Sequence, residues 1–106
     1  MTEIATVYAV FGSTEEAESI GRQMVERRLA ACVNIMPACR SLFRWKGAIA
    51  AEEEVPALFK TTRDGMGALI SAIADLHSYD VPAICVWPIA TAHPPYGEWV
   101  GDEVRS

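Results

Sequence analysis

Two alternating runs that meet at Lys46-Gly47 constrain this chain more than any other feature. Before the turn, Ser41-Leu42-Phe43-Arg44-Trp45 alternates polar and apolar; after it, Ile49, Ala51, Val55, Ala57 and Phe59 fall on one side and Glu52, Glu54 and Lys60 on the other. Strand side chains alternate between faces, so both runs are read as strands, and a Lys-Gly link is short enough to join them in an antiparallel hairpin. The first arm is predicted to run from Cys32 to Trp45, long and bent, with a break at Pro37. Pro56 has no backbone donor, which predicts a sheet edge or a bulge in the second arm. One strand edge of this ribbon is left free to pair.

The flanking segments supply the remaining layers. Ile4 to Phe11 is β-branched, aromatic and small, the pattern of a buried central strand ending at Gly12. Ser13 followed by Glu16 forms a capping-box pattern, and Ala17, Ile20, Met24 and Val25 recur at helical spacing, so a first helix is predicted from Thr14 to Ala30. Asp64 is the expected N-cap of a second helix, striped by Met66, Leu69, Ile70, Ile73 and Leu76 and ending near His77. After the turn "SYDVP", Ala83 to Ala90 is predicted to be a fully buried strand, with a short helix from Tyr96 to Arg105. Strand, helix, strand, strand, helix, strand and a C-terminal helix make an α+β chain of ferredoxin-like βαββαβ plan, with an antiparallel sheet and one domain over residues 1–106. In that plan both main helices lie on one face of the sheet, and the other face needs a cover.

Composition sets the function classes aside one by one. With 51% apolar and 22% charged residues in 106, the chain supports one packed core. A net charge of -5 offers no basic footprint for nucleic acid or an anionic membrane surface. The start of the chain has Glu3 and no basic region, which reads as a strand and not as a signal peptide. The longest uncharged apolar run, Val81 to Ala92, holds two prolines and falls short of the ~20 residues a bilayer requires. A cytoplasmic location is expected. Cys32, Cys39 and Cys85 are odd in number and lack CxxC spacing, so reduced thiols filling small core positions are expected. No GxGxxG, P-loop, GxSxG or HExxH pattern occurs, and Ser13, Thr61 and Thr62 read as cap and turn residues; the chain is expected to be no enzyme.

Several ordered motifs carry a resemblance across essentially the whole chain: "ERRLAACVNIMP", "SLFRWKGAI", "LFKTT", "HSYDVPAI" and "YGEWV". Together they resemble the CutA divalent-cation tolerance family. The resemblance implies a compact homotrimer, similar in architecture to the PII signalling proteins, in which the long hairpin reaches a neighbouring subunit. Trp45 would then sit in or beside the interface; the alternative folds it back over its own hairpin. Glu54 would line a cleft between subunits near Lys60 and Tyr79, the alternative being a solvated acidic face.

In the family, copper has been associated with a Cys at the end of strand one and a pair of His at the end of helix two. Here Phe11 and Leu76 stand at two of those positions and only His77 remains; Ser78 and Ala83 depart as well. The metal candidates are therefore His77 and Cys32, toward copper or another divalent cation, with His77 alternatively a helix C-cap and His93 a loop residue. Two other functions stay open: a small-ligand sensor using Lys60, Tyr79 and Trp99 for an anionic or aromatic ligand, and a trimeric adaptor for a protein partner.

Overall fold

The computed structural model describes residues 2–104. In chain order the elements are β1 (Ile4–Phe11), α1 (Thr14–Glu26), β2 (Cys32–Ile35), β3 (Cys39–Trp45), β4 (Ala48–Thr62), α2 (Met66–Leu76), β5 (Ile84–Pro88) and α3 (Pro94–Glu103). All pairings are antiparallel: the sheet runs β2-β4-β1-β5, and β3 pairs the first half of β4. This is the ferredoxin-like α+β arrangement, with an elongated hairpin.

Alternation decides where the core sits. Val7, Ala9 and Phe11 of β1 and Val55, Ala57 and Phe59 of β4 point to one face, against Ala17, Ile20 and Met24 of α1 and Leu69, Ala72 and Ile73 of α2. On the opposite face α3 covers one end only, where Val100 and Val104 pack on Ile4 and Ala31. Arg28 fixes that helix by donating to the Asp102 and Glu103 carbonyls at 2.8 and 3.0 Å.

The hairpin is present as the alternation predicts. Trp45 pairs with Ala48, and Lys46 and Gly47 between them take φ values of 50° and 82°. Two left-handed residues are what a two-residue link between right-twisted strands demands. Behind the turn the first arm is interrupted. Ile35 pairs with Ala57 and Cys39 with Glu54, so Met36, Pro37 and Ala38 stand opposite Val55 and Pro56. Three residues facing two is a bulge, and it divides the expected Cys32–Trp45 strand into β2 and β3. Met36 N–H donates to the Pro56 carbonyl at 2.9 Å, so the donor that Pro56 lacks would have faced this irregular stretch. Of the two expectations for Pro56 the bulge is the one realised, since Pro56 also pairs with Val10 and is no edge residue.

Other expectations are corrected. The first helix stops at Glu26 and not at Ala30, because Arg28 turns left-handed at φ 60°. Asp64 does not cap α2; the Thr62 hydroxyl accepts the Gly65 N–H at 3.0 Å. The last helix starts at Pro94, and Arg105, its expected last residue, lies outside the described residues. The Ala83–Ala90 strand shortens to Ile84–Pro88 and is not buried: Ile84 and Val86 pack toward the helices, while Cys85 and Trp87 occupy the uncovered face. Cys39 and Cys85 are exposed and Cys32 is half-buried, so the thiols do not fill the core.

Candidate functional site

The site grows from the start of α1. The Ser13 hydroxyl accepts the Glu16 N–H at 3.1 Å, which begins the helix and fixes Glu16 on its first turn. The Glu16 carboxylate reaches across to the turn after α2, accepting the Ser78 N–H at 2.8 Å and its hydroxyl at 3.0 Å. Next to it the His77 side chain is wholly buried. Its Nε2 lies 2.7 Å from the Val10 carbonyl, and Nδ1 accepts the Tyr79 N–H at 3.1 Å. A carbonyl can only accept and an N–H can only donate, so the ring is the neutral tautomer with its proton on Nε2. The imidazole also stacks on Phe11 at 4.9 Å and 12°.

This scaffold aims Tyr79. Its ring tilts against His77 at 4.8 Å, and its hydroxyl donates to Glu54 Oε2 at 2.9 Å. Gly12 makes room: a Cβ there would stand 3.1 Å from the phenol oxygen. Glu54 is only 8% exposed. Burial, the Glu54 hydrogen bond, and the charges of Glu54, Glu16 and Glu52 push the Tyr79 phenol up to about 12. Burial also raises Tyr8, with further contributions from Cys39, Cys85 and Glu54.

Glu54 and Tyr79 form the inner wall of an open groove of about 800 Å³, bounded by the groove side of the hairpin, the middle of β1 and the 79–83 turn. Tyr8, Phe43 and Trp45 add aromatic surface, and Glu52 and Asp80 add carboxylates. Among the described residues no Lys, Arg or His lines it.

The expected site residues thus divide into two groups. Trp45, Glu54 and Tyr79 come together at the groove. Lys60 does not: it lies six residues along β4 from Glu54, about 20 Å at strand rise, opposite Cys32 in β2. Cys32 Sγ contacts the Tyr96 hydroxyl at 3.5 Å, and Tyr96 stacks on Trp99 at 5.8 Å, so Cys32, Lys60 and Trp99 gather near α3, away from the groove. Tyr8 and Asp80 were not singled out by the sequence. Tyr8 carried a faint signal, being an amphipathic ring at an even position of a strand whose odd positions fill the core.

The metal candidates do not fit an ion within one copy. His77 has both nitrogens engaged and a fully buried side chain, and Cys32 belongs to the other end of the sheet. Among the described residues, no three His, Cys, Asp or Glu side chains gather in a group that could hold a metal. Tight transition-metal sites need three or four converging ligands.

The fold and groove together define a class: a ferredoxin-like α+β protein with a protruding hairpin and a ligand-sized hollow at its base. The match to known proteins is more specific. The family described as CutA1 divalent ion tolerance protein matches residues 5–103. The divalent-cation tolerance protein CutA of Thermus thermophilus is 41% identical over 88 residues, covering 83% of this chain and 85% of that protein. A protein CutA homolog of Xenopus laevis is 37% identical over 101 residues, covering 95% of this chain and 67% of that one. A solved structure described as the periplasmic divalent cation tolerance protein CutA from Archaeoglobus fulgidus superposes with a TM-score of 0.93 at 33% identity, over 96% of this chain and 99% of that chain. This chain belongs to the CutA1 divalent ion tolerance family.

Proposed function

We propose that this chain is a non-enzymatic homotrimer acting in the response to divalent cations, copper among them. Family membership supports the response. Assembly is supported by one observation above the rest: the hairpin and the uncovered sheet face expose Leu42 at 69%, Ile49 at 65%, Trp87 at 48% and Trp45 at 45%. Leu42 and Ile49 lie on one face of the hairpin and Trp45 on the other; large exposed apolar side chains on both faces support association, and a heterologous contact closes into a ring when its rotation permits. Trp45 retains about 110 Å² of exposed surface if a whole side chain presents about 250 Å², worth about 3 kcal/mol on burial. Sedimentation of the wild type at micromolar concentration should give a trimer, and Trp45→Ala should dissociate at lower dilution. A monomeric wild type would refute the assembly.

Since the described residues of one copy offer no cage for the ion, copper is proposed to meet the protein where copies adjoin. Calorimetric titration of copper into the reduced protein, with a competing chelator, checks this. One ion for every three chains supports a shared site; one per chain, lost in Cys32→Ser, returns it to Cys32; no saturable binding removes copper from the function. The free thiols, two of them exposed, support a reducing cytoplasmic location, and the relative described as periplasmic makes cell fractionation the direct check.

The groove favours a second reading, a small-ligand sensor. Its volume falls within the range of small-molecule pockets, and its polar groups converge on the Glu54 and Tyr79 pair.

A further inference from the structure

The hairpin is charged differently on its two sides. Residues paired directly across an antiparallel ribbon share a face, so Ser41, Phe43 and Trp45 lie with Glu52 and Glu54, while Arg40, Leu42 and Arg44 lie with Glu53 and Ile49. The first side walls the groove and is acidic, and Asp80 of the nearby turn adds a third carboxylate there. The second side carries two guanidinium groups and one carboxylate. Glu53 stands opposite Arg40, but Arg44 faces Ile49 and has no acid across the ribbon. Neither arginine is neutralised within the chain: the opposite-charge contacts among the described residues are Arg63 with Glu3 and His77 with Glu16.

Each side also presents large apolar groups to water, Phe43 and Trp45 on the acidic side and Leu42 and Ile49 on the basic one. One element thus holds both halves of a complementary contact, and a second copy of this chain is the occupant that fits. Complementarity also fixes the kind of contact. An isologous pairing sets the same patch against itself, which would oppose acid to acid on one side of the hairpin or arginine to arginine on the other. Only opposite sides match, and a contact between opposite sides is heterologous, the kind that closes into rings. Stacked sheets lie about 10 Å apart, a gap that a facing arginine and glutamate fill.

We propose that the arginine side of one copy's hairpin seats on the acidic side of the next, with the neighbour's Arg44 as the counter-charge of Glu52 and Glu54. This rests on the homotrimer reading and names the contact that sets its direction around the ring. A ligand entering the hollow would then meet both signs of charge, one from each copy.

Charge reversal tests the pairing. Arg44 and Glu52 are both exposed in the single chain, and Glu52 takes no part in the Tyr79 hydrogen bond. Sedimentation equilibrium over a dilution series compares wild type, Arg44→Glu, Glu52→Arg and the double reversal. Each single reversal is expected to weaken every contact by about tenfold or more, a tenfold change being 1.4 kcal/mol. The double reversal, which restores opposite charges at all contacts, is expected to regain most of that loss. Losses that add in the double variant, or single variants that assemble like wild type, overturn the pairing and leave the trimer standing. A wild type that is monomeric at every concentration overturns both. Arg44→Gln and Glu52→Gln provide smaller losses of the same sign should a reversal fold poorly.

Discussion

Replacing His77 by alanine separates two roles for this residue that make opposite demands on the metal-free protein. In the structure the side chain is a wholly buried link between the end of β1 and the turn after α2. Truncation strands the Val10 carbonyl, at about 1–3 kcal/mol for a buried polar group left unpaired. It also opens a cavity beside Phe11 and releases the Tyr79 N–H; deletion of a whole buried ring costs about 3–5 kcal/mol, and imidazole is smaller than a phenyl group. A total loss of about 3–5 kcal/mol follows, a large share of the 5–15 kcal/mol that holds a typical domain. At roughly 4 °C per kcal/mol for a chain of this length, Tm should fall by roughly 12–20 °C. Thermal and urea unfolding of metal-free wild type and His77→Ala at pH 8 measure it. A residue kept only to ligate metal would leave this apo stability unchanged, and a loss below about 0.5 kcal/mol would refute the structural link.

Two further outcomes follow from side-chain hydrogen bonds at the groove, near α3 and at the start of α1. Tyr79 and Tyr96 are both raised to about 12, so the folded state holds their protons more tightly than the unfolded chain does at the ordinary value near 10. Their contribution is complete below pH 10 and is lost as pH rises toward 12; melting temperature should therefore fall over that window, less steeply in Tyr79→Phe, with phenolate absorbance as the monitor. Ser13→Ala removes the cap on Glu16 and should cost about 1 kcal/mol, read by urea unfolding, with Ser78 and Tyr79 amides exchanging faster as Glu16 loosens.

Sequence pattern carried furthest where local chemistry and the fold agree. The β1 boundaries, the Ser13 cap and the two-residue turn at Lys46-Gly47 each depend on neighbouring residues and were legible. The end of α1 was not, because a left-handed residue that stops a helix is usually glycine and here it is Arg28, held by carbonyls some seventy-five positions away in α3. The burial expected for β5 failed for a related reason. "ICVWP" is apolar on both faces, but no element among the described residues covers Cys85 and Trp87. At the site, Glu54 and Tyr79 could be named from their motifs, and the 2.9 Å contact between them could not, since it depends on Gly12, Glu16 and His77 placing the turn. Lys60 shares a face with Glu54 by alternation, but alternation carries no information about distance along the strand.

The extra residue between Ile35 and Cys39 acts as a phase inverter for everything beyond it. Before it, the odd positions Val33 and Ile35 look toward the helices; after it, the odd positions Cys39 and Ser41 share a face with Glu54 and Glu52. Deleting one residue there would remove the bulge and leave every face beyond it as it is, because the Lys46-Gly47 turn sets the register of β3 on an unbroken β4. The bulge is thus a slack coupling: it lets two differently phased runs of one arm share a single straight strand, and the turn decides which side chains face the hollow.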